Sequence, residues 1–400
     1  MSDSSTVTTR TGWFSRLGSS LGGILVGLIL LAVGVWLLSW NEGRAVKRER
    51  ALNEGAGVVQ TVDANTIDPT QDGTLIHTTG DTTVAGTLTD NAWPVSVQAL
   101  RLLRDVEMYQ WRETSRSETR TRLGGGQETV TVYEYERIWS SSAENSSNFH
   151  NPDGHQNPGF PIEAAAFTSS DARLGAYRLD TRVIEQIGPT EALTLDADTQ
   201  RALAGQAGRR ATASSSQLYL GANPGSPAIG DTRVSWRVVR PGTVSVVAAQ
   251  VGDGFAPFQT DNGESILLVE SGRVSAAQMF EGAQAANRAV LWGIRVGGLV
   301  VLVIGFGLIL NPLRVLADVI PPIGSVVGMG LGLVSTLLGV LLGALVIAIA
   351  WFAFRPLLSV IVLVVAGGIG FFLWRMGRSR LRRQTPAPAP AEPPPPQAAA

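Results

Sequence analysis

The chain has 400 residues, no cysteine and a formal net charge of −1, because 32 Lys and Arg are balanced by 33 Asp and Glu. The basic residues of its middle part are scattered, which argues against nucleic-acid binding. The lack of cysteine excludes disulfides, thiolate catalysis and cysteine-ligated metals. Apolar residues are concentrated in one run near the start and three between Leu291 and Trp374, so we expect an integral membrane protein.

The first apolar run, residues 21–40, predicts a membrane span that follows a cytoplasmic segment, residues 1–20. A bilayer core needs roughly 20 apolar residues in helical form, and this run contains no charge. The run could instead be a cleaved signal peptide, since Arg10 and Arg16 precede it. It is too long for an h-region and ends in Trp36 and Trp40 rather than in small residues, so we favour a retained span.

Residues 41–288 are mostly polar and predict a β-rich domain. Alternation from Thr129 to Trp139 indicates a strand, and Val106–Arg122 can pair with it through the turn at Gly124-Gly125-Gly126. A second hairpin is expected over Thr232–Val251, with Pro241-Gly242 as a type II turn.

Shorter elements are also expected in this domain. The sequence predicts strands at residues 58–62, 74–79 and 266–269, and helices at 162–167, 196–204 and 275–288. The last helix either lies along the membrane surface or forms the first turns of the second span.

Three C-terminal spans are predicted within residues 289–374, at about 291–310, 324–354 and 357–374. Asn311-Pro312, Pro321-Pro322 and Arg355-Pro356 separate them. Residues 375–400 are basic at first and then rich in Pro and Ala, which predicts a disordered cytoplasmic tail.

Positive charge sets the expected orientation. A dense cluster follows the last span and is placed in the cytoplasm by the positive-inside rule: Arg375, Arg378, Arg380, Arg382 and Arg383. An opposing signal lies on the domain side of the first span: Arg44, Lys47, Arg48 and Arg50. Giving weight to the C-terminal cluster, we predict four transmembrane α-helices, one N-terminal and three C-terminal, with a large extracytoplasmic β-rich α+β domain inserted after the first.

Catalytic chemistry is not indicated by the sequence. His150, Asp153 and His155 are close enough in sequence for one metal, but their spacing matches no established site, and a hydrogen-bonded loop histidine is the better interpretation. Glu134 and Glu136 share a strand face, which is ordinary for a half-exposed strand. We therefore predict no catalytic residue, cofactor or metal, and no enzymatic activity.

Glycines spaced four apart predict close helix packing in the spans. The pairs are Gly23 with Gly27, Gly293 with Gly297, Gly324 with Gly328, and Gly339 with Gly343. The spacing does not distinguish packing within one chain from oligomerisation. Arg295 is the one charge that enters a predicted span, and snorkelling to the interface explains it better than a pore or ligand role.

Several short segments, in this order, resemble the transmembrane protein 43 (LUMA) family. The residues that carry the resemblance are Asn41, Glu42, Gly43, Arg44, Glu107, Tyr109, Trp111, Trp139, His155, Asn157, Pro158, Gly230, Asp231, Trp292, Arg295, Arg355 and Pro356. No single motif is specific, but the ordered set combined with a one-plus-three span layout is, and it covers the chain from about Leu21 to Trp374.

The resemblance implies that both termini are cytosolic, that the domain is luminal or periplasmic, and that the protein is a non-enzymatic membrane organiser. Animal members of the family lie in the endoplasmic reticulum and inner nuclear membrane, where they self-associate and bind emerin and lamins. The alanine-, glycine- and arginine-rich composition favours a bacterial source, which would place this chain in the inner membrane with a periplasmic domain.

The leading hypothesis is a multipass scaffold that contacts the lipid bilayer, forms homo-oligomers and binds an unidentified membrane or periplasmic protein. A channel or transporter subunit formed by the C-terminal helices is the alternative, with Arg295, Ser325, Ser335, Thr336 and Ser359 as candidate polar groups. A third possibility, a membrane-anchored hydrolase that uses His155, lacks a nucleophile and base constellation.

Overall fold

The computed structural model describes residues 3–208 and 210–354, which form five α-helices and nineteen strands. The helices are α1 (Trp13–Val58), α2 (Thr181–Gln186), α3 (Ala197–Ala207), α4 (Ala276–Ala317) and α5 (Pro321–Phe354). The strands are β1 (Asp3–Thr11), β2 (Gln60–Asp63), β3 (Leu75–Thr83), β4 (Leu88–Thr89), β5 (Ser96–Val97), β6 (Arg101–Thr121), β7 (Gln127–Ser140), β8 (Ala165–Thr168), β9 (Arg173–Leu174), β10 (Tyr177–Arg178), β11 (Glu191–Ala192), β12 (Ala211–Ala213), β13 (Leu218–Leu220), β14 (Thr232–Val239), β15 (Thr243–Val251), β16 (Gly254–Ala256), β17 (Phe258–Gln259), β18 (Ser265–Ile266) and β19 (Leu268–Ser271).

Three of the helices, α1, α4 and α5, are long and apolar enough to cross a membrane. The β-rich domain lies between α1 and α4 in the chain, as the sequence predicted. The predicted fourth span at 357–374, the arginine cluster and the Pro/Ala-rich tail lie outside the described residues.

Helix α1 is longer than the predicted span at both ends. It continues past Trp40 because the residues that follow are buried rather than solvated: Leu52 is fully buried, and Gly55 lies directly against Ile266 and Phe280. The basic residues that follow the apolar run therefore belong to a helix that runs on into the domain.

Helix α4 begins at a capping box formed by Ser275 and Gln278 and continues without interruption to Ala317. The segment 275–288 is therefore the first part of this long helix, one of the two alternatives the sequence left open. The expected break at Asn311-Pro312 is wrong, since Pro312 lies inside the helix. Proline removes only one backbone hydrogen bond, and packing with neighbouring helices allows this in apolar helices.

The larger sheet has eight strands, with β1, β7, β6, β14, β13 and β12 in order. The predicted long hairpin is confirmed as β6 and β7, paired from Met108–Ser140 to Thr121–Gln127. Residues 1–20 were expected to lie apart from the domain, but Asp3–Thr11 pair antiparallel with β7 along their whole length. Their Thr- and Val-rich sequence suits an extended strand. The helix expected at 162–167 is also wrong, because β8 there pairs with β6.

The second expected hairpin does not form, although both of its strands are present. β14 pairs with β6, β11 and β13, whereas β15 belongs to a separate seven-stranded sheet and pairs with β3, β16 and β19. Pro241-Gly242 therefore connects two sheets. Both strands are largely buried. A two-stranded hairpin cannot bury so many side chains, so each strand pairs within a larger sheet instead.

The domain contains two main apolar clusters, one around Tyr177 and Leu174 and one around Trp236 and Leu102. A third cluster joins the domain to the helices, since Leu52 of α1 and Phe280 of α4 pack with Leu75 of β3. The domain is thereby fixed to the Val58 end of α1.

We call β1, β7 and the part of β6 beyond Trp111 the arm. Its tip lies at the opposite end of the helices from the domain, where Arg16 donates to Gly125 O and pairs with Asp318. The amide of Gly124 donates to Val319 O at 3.2 Å. At roughly 3.3 Å per residue β6 is about 66 Å long, which matches the length of α1 from Arg16 to its end.

Candidate functional site

The first cluster of family-motif residues lies where α1 and α4 leave their apolar runs. Glu42 accepts two hydrogen bonds from Arg295, from Nε at 2.6 Å and Nη2 at 2.8 Å. The Glu42 and Arg295 side chains are 3% and 8% exposed. A bidentate pair satisfies most of the polar atoms on both groups, which such burial requires.

Two tryptophans enclose this ion pair. Trp351 of α5 donates from Nε1 to the second carboxylate oxygen of Glu42 at 3.0 Å. The Arg295 guanidinium lies 4.7 Å from the ring centre of Trp292 and 5.8 Å from that of Trp351. One acidic residue thus connects α1, α4 and α5, and the cation is held between aromatic faces.

The rest of the motif Asn41-Glu42-Gly43-Arg44 fits the same helix contact. Asn41 donates to Leu291 O at 3.1 Å, and Arg44 donates to Asn287 Oδ1 at 3.2 Å. A Cβ at Gly43 would lie 2.8 Å from the Phe354 ring, so a larger residue there would displace α5. This set of residues joins α1, α4 and α5, and a pocket of about 230 Å³ lies beside it.

The second cluster of motif residues lies at the base of the arm. The side chain of Asn157 accepts from Trp111 N at 2.7 Å and donates to Trp111 O at 2.8 Å, as a neighbouring strand would. Asn157 thereby docks the loop 145–161 on β6. Pro158 next to it lies 3.0 Å from where a Cβ of Gly230 would be, at a backbone φ of 93° that favours glycine.

Asp231 organises the other side of this base. It accepts from the Tyr219 hydroxyl at 2.5 Å, and its carbonyl oxygen accepts from Tyr109 N at 2.8 Å. Burial, together with the bond to Asp231, raises the pKa of Tyr219 above its ordinary value. Arg233 lies 3.8 Å above the Trp139 ring. Of the remaining motif residues, Glu107 pairs in register with Arg233, and Arg355 and Pro356 lie outside the described residues.

Each of the two loop histidines, His150 and His155, lies against a tyrosine. His150 stacks on Tyr133, whereas His155 stacks on Tyr135 and contacts Asp3 through Nε2 at 3.0 Å and Asn151 O through Nδ1 at 3.0 Å. His155 is thus a buried histidine with a partner for each ring nitrogen, as favoured from the sequence. The described residues contain no group of three His, Asp or Glu suited to a metal.

The predicted packing glycines fall into two groups. A Cβ at Gly27 would lie 2.7 Å from Gly305 O, and one at Gly339 would lie 2.7 Å from Val303. Close contacts with another helix or its end also exist at Gly324, Gly328 and Gly343, whereas a Cβ at Gly23 would lie at an ordinary contact distance, 3.9 Å, from Leu308 O. Gly293 and Gly297 have open space around them within the described residues, and Gly298 and Gly305 make the close contacts on α4 instead.

Sequence reasoning missed the ion pair between Arg16 and Asp318, which joins the outer ends of α1 and α4. Their side chains are 9% and 6% exposed, and the nitrogen–oxygen distance is 2.5 Å. It also missed Asp90, buried beneath Trp236 and Arg104. The sequence does show a charged residue just beyond the end of an apolar run in each case, Arg16 and Asp318. It does not show that two residues so far apart in the chain are partners.

Known proteins resemble this chain over nearly its whole length. A family model described as Transmembrane protein 43 matches residues 108–356. Transmembrane protein 43 of Mus musculus is 30% identical over 369 residues, covering 88% of this chain and 90% of the mouse protein. The Homo sapiens protein is 30% identical over 370 residues, covering 88% of this chain and 90% of that protein.

A more distant animal relative gives a similar result. The Transmembrane protein 43 homolog of Drosophila melanogaster is 29% identical over 371 residues, covering 88% of this chain and 93% of the fly protein. No solved structure shows a significant match. Together with the two motif clusters, these similarities show that the chain belongs to the transmembrane protein 43 family.

Proposed function

We propose that this membrane protein is a non-enzymatic scaffold that self-associates and uses its β-rich domain to bind a further protein or the membrane surface. The observation that carries the proposal is the arm, a polar three-stranded sheet with two open edges. β1 pairs with β7 alone, and the pairing of β6 with β14 ends at Met108. Beyond the loop held by Asn157, neither outer edge is covered within the described residues.

The position of the arm makes these open edges costly. Its base lies in the domain and its tip contacts the Arg16 end of the helices, so its strands span the length of their apolar part. Unpaired backbone groups and exposed polar side chains are not tolerated against lipid hydrocarbon, where only helices and closed sheets are stable. Pairing between arms of neighbouring copies would satisfy both edges.

The two edges are compatible with head-to-tail pairing. β1 and β6 flank β7 antiparallel, so they run in the same direction within one copy. β1 of one copy can therefore pair parallel with β6 of the next, and repetition of that contact forms a ring when the rotation between copies closes. In such a ring the polar arms face a shared interior and the apolar helices face lipid.

Engineered cysteines test this pairing directly, because the natural chain contains none. Thr8 and Glu118 lie on the two edges and on the same face of the sheet, because both are opposite Val130 of β7; they are roughly 9–10 Å apart, too far for a disulfide within one copy. Oxidising native membranes that contain the Thr8→Cys/Glu118→Cys variant should give a ladder beyond dimers. Pairing Cys at Thr6, Thr8 or Arg10 with Cys at Arg116, Glu118 or Arg120 covers other registers on this face.

The control is a single cysteine at Asp198, which is exposed on α3 away from the arm. A single thiol can link only two copies, so the expected result is no disulfide-linked dimer. If every edge combination stays monomeric in membranes, and native mass spectrometry in mild detergent finds only monomer at every concentration, self-association is refuted.

We further propose the bacterial inner membrane, with a periplasmic domain, as the location; in a eukaryotic cell the endoplasmic reticulum or inner nuclear membrane would correspond.

The channel alternative has less support. Arg295 is engaged by Glu42, and the hydroxyls of Ser325, Ser335 and Thr336 donate to carbonyls of their own helix. Ser359 lies outside the described residues.

A further inference from the structure

A second pocket at the domain end of α1 lies on the side away from Trp292. We call it the headgroup groove; it has a volume of about 400 Å³ and is lined by Trp40, Gly43, Arg44, Lys47, Glu264 and Phe354. It opens beside the last residue of the first apolar run. Its lining combines two cations with two aromatic rings.

Both cations have free hydrogen-bonding capacity. The terminal nitrogens of Arg44 donate to Asn287 and Asn41, but its Nε is buried and has no hydrogen-bond partner in the part of the chain described. The Lys47 side chain is exposed and forms no ion pair with any residue of 3–208 or 210–354. The exposed Lys47 ammonium can therefore donate to an anion in the groove, and the Arg44 guanidinium adds a second positive charge beside it.

The carboxylate in the lining does not cancel these charges. Glu264 lies 4.0 Å from Arg48, a third cation, which itself donates to Ser265 O at 2.6 Å. Counting Arg44, Lys47, Arg48 and Glu264 together, the groove and its rim are net positive. The charge is therefore complementary to an anion.

The aromatic residues place the groove at the membrane surface. Trp40 stacks on Trp36 with ring centres 6.0 Å apart, and both rings are substantially exposed on the apolar helix. Exposed tryptophans at the end of an apolar run lie at the level of lipid headgroups. Arg44 and Lys47 follow Trp40 by one and two helical turns, where lipid phosphates lie.

We propose that the headgroup groove binds the phosphate of an anionic phospholipid, with the Lys47 ammonium hydrogens as donors, the Arg44 guanidinium as a second positive charge, and the acyl chains beside Trp40 and Phe354. A phosphodiester supplies several acceptor oxygens for these donors. An additional anionic headgroup is favoured over a zwitterionic one because the groove is net positive. This site does not depend on the pairing of the arms.

Quenching of tryptophan fluorescence tests the site in the full-length protein reconstituted into nanodiscs. Brominated phosphatidylglycerol and brominated phosphatidylcholine are the probes, each diluted in unlabelled phosphatidylcholine. We expect half-maximal quenching at a lower content of the anionic lipid, and loss of this preference in Trp40→Phe, which removes the reporter. Lys47→Gln should weaken the apparent affinity for the anionic probe about fivefold.

Arg288→Gln is the matched control. The substitution removes one positive charge from α4, next to Asn287, the residue that contacts Arg44. Arg288 lines the pocket beside Glu42 and Arg295 and not the headgroup groove. The proposal is overturned if both lipids quench equally, or if Arg288→Gln weakens anionic quenching as much as Lys47→Gln, which would indicate a general surface attraction. Displacement of the brominated lipid by millimolar inorganic phosphate would overturn the lipid assignment and identify a site for a soluble anion.

Discussion

Replacing Glu42 by Gln should be among the most destabilising single changes in the helical part. The variant keeps the volume of the side chain but leaves the buried Arg295 side chain, which is 8% exposed, without its counter-charge. Removing one partner of a buried ion pair costs about 3–5 kcal/mol. Part of that cost also reflects a weaker acceptor for Trp351 Nε1, which donates to Glu42 at 3.0 Å.

A double-mutant cycle separates the ion pair from the other contacts of Glu42. Arg295→Met removes the cation, so Glu42→Gln/Arg295→Met leaves no unpaired charge in the pair. We expect the double variant to lose about 1.5 kcal/mol or more less than the sum of the two single losses. Unfolding by SDS in mixed micelles, followed by far-ultraviolet circular dichroism, measures the free energies.

Glu136→Gln is the comparison for this cycle. It breaks the pair of Glu136 with Arg112, whose side chains are 49% and 44% exposed, so the loss should be below about 1 kcal/mol. Losses at Glu42 and Arg295 that simply add, or a loss at Glu42 no larger than at Glu136, would refute the view that this pair holds the helices together.

Three further changes test other parts of the structure. Gly27→Leu should lower the free energy of unfolding by about 1–3 kcal/mol in the same assay, because its Cβ would lie 2.7 Å from Gly305 O. Gly293→Leu, at a position with open space, should lower it by less than about 0.5 kcal/mol, and equal losses would contradict the packing described. Asn157→Ala should speed hydrogen exchange at the Trp111 amide, which donates to the Asn157 side chain. Unchanged exchange would show that the loop docks by other contacts. Stability should fall as pH rises above 10, the ordinary pKa of tyrosine, because the raised pKa of Tyr219 keeps the folded phenol neutral while the unfolded phenol ionises. Tyr219→Phe should reduce this fall, and an identical pH profile in the variant would contradict a contribution from Tyr219.

Local patterns in the sequence predicted local elements well. Alternation along Thr129–Trp139 and three glycines in the turn identify the long hairpin, because period-2 burial and a glycine turn are sufficient to specify it. Asp196, which caps α3 by accepting from Thr199 N, similarly marks a helix start. These features depend on residues close together in the chain.

Partners distant in the chain were not predictable in the same way. Thr232–Val251 has the sequence of a hairpin, yet the two strands bury their faces in different sheets. The segment Asp3–Thr11 has strand-forming residues, but its partner lies more than one hundred residues away. The Arg295 interpretation failed for the same reason: its charge suggested snorkelling, whereas Glu42 on another helix neutralises it. A single sequence does not reveal which distant residue supplies the complement.

The two buried ion pairs between α1 and α4 explain how mainly apolar helices keep one alignment. Apolar contacts are non-directional, and glycine-lined surfaces such as those at Gly27 and Gly305 allow neighbouring backbones to slide. Arg16 pairs with Asp318 at one end and Glu42 with Arg295 at the other, so the positive partner lies on α1 in one pair and on α4 in the other. A shift of one helical turn, about 5.4 Å, would separate both pairs at once. Arg16 also donates to Gly125 O at the tip of the arm. The alignment of α1 with α4 therefore also sets where the tip of the arm lies along the helices.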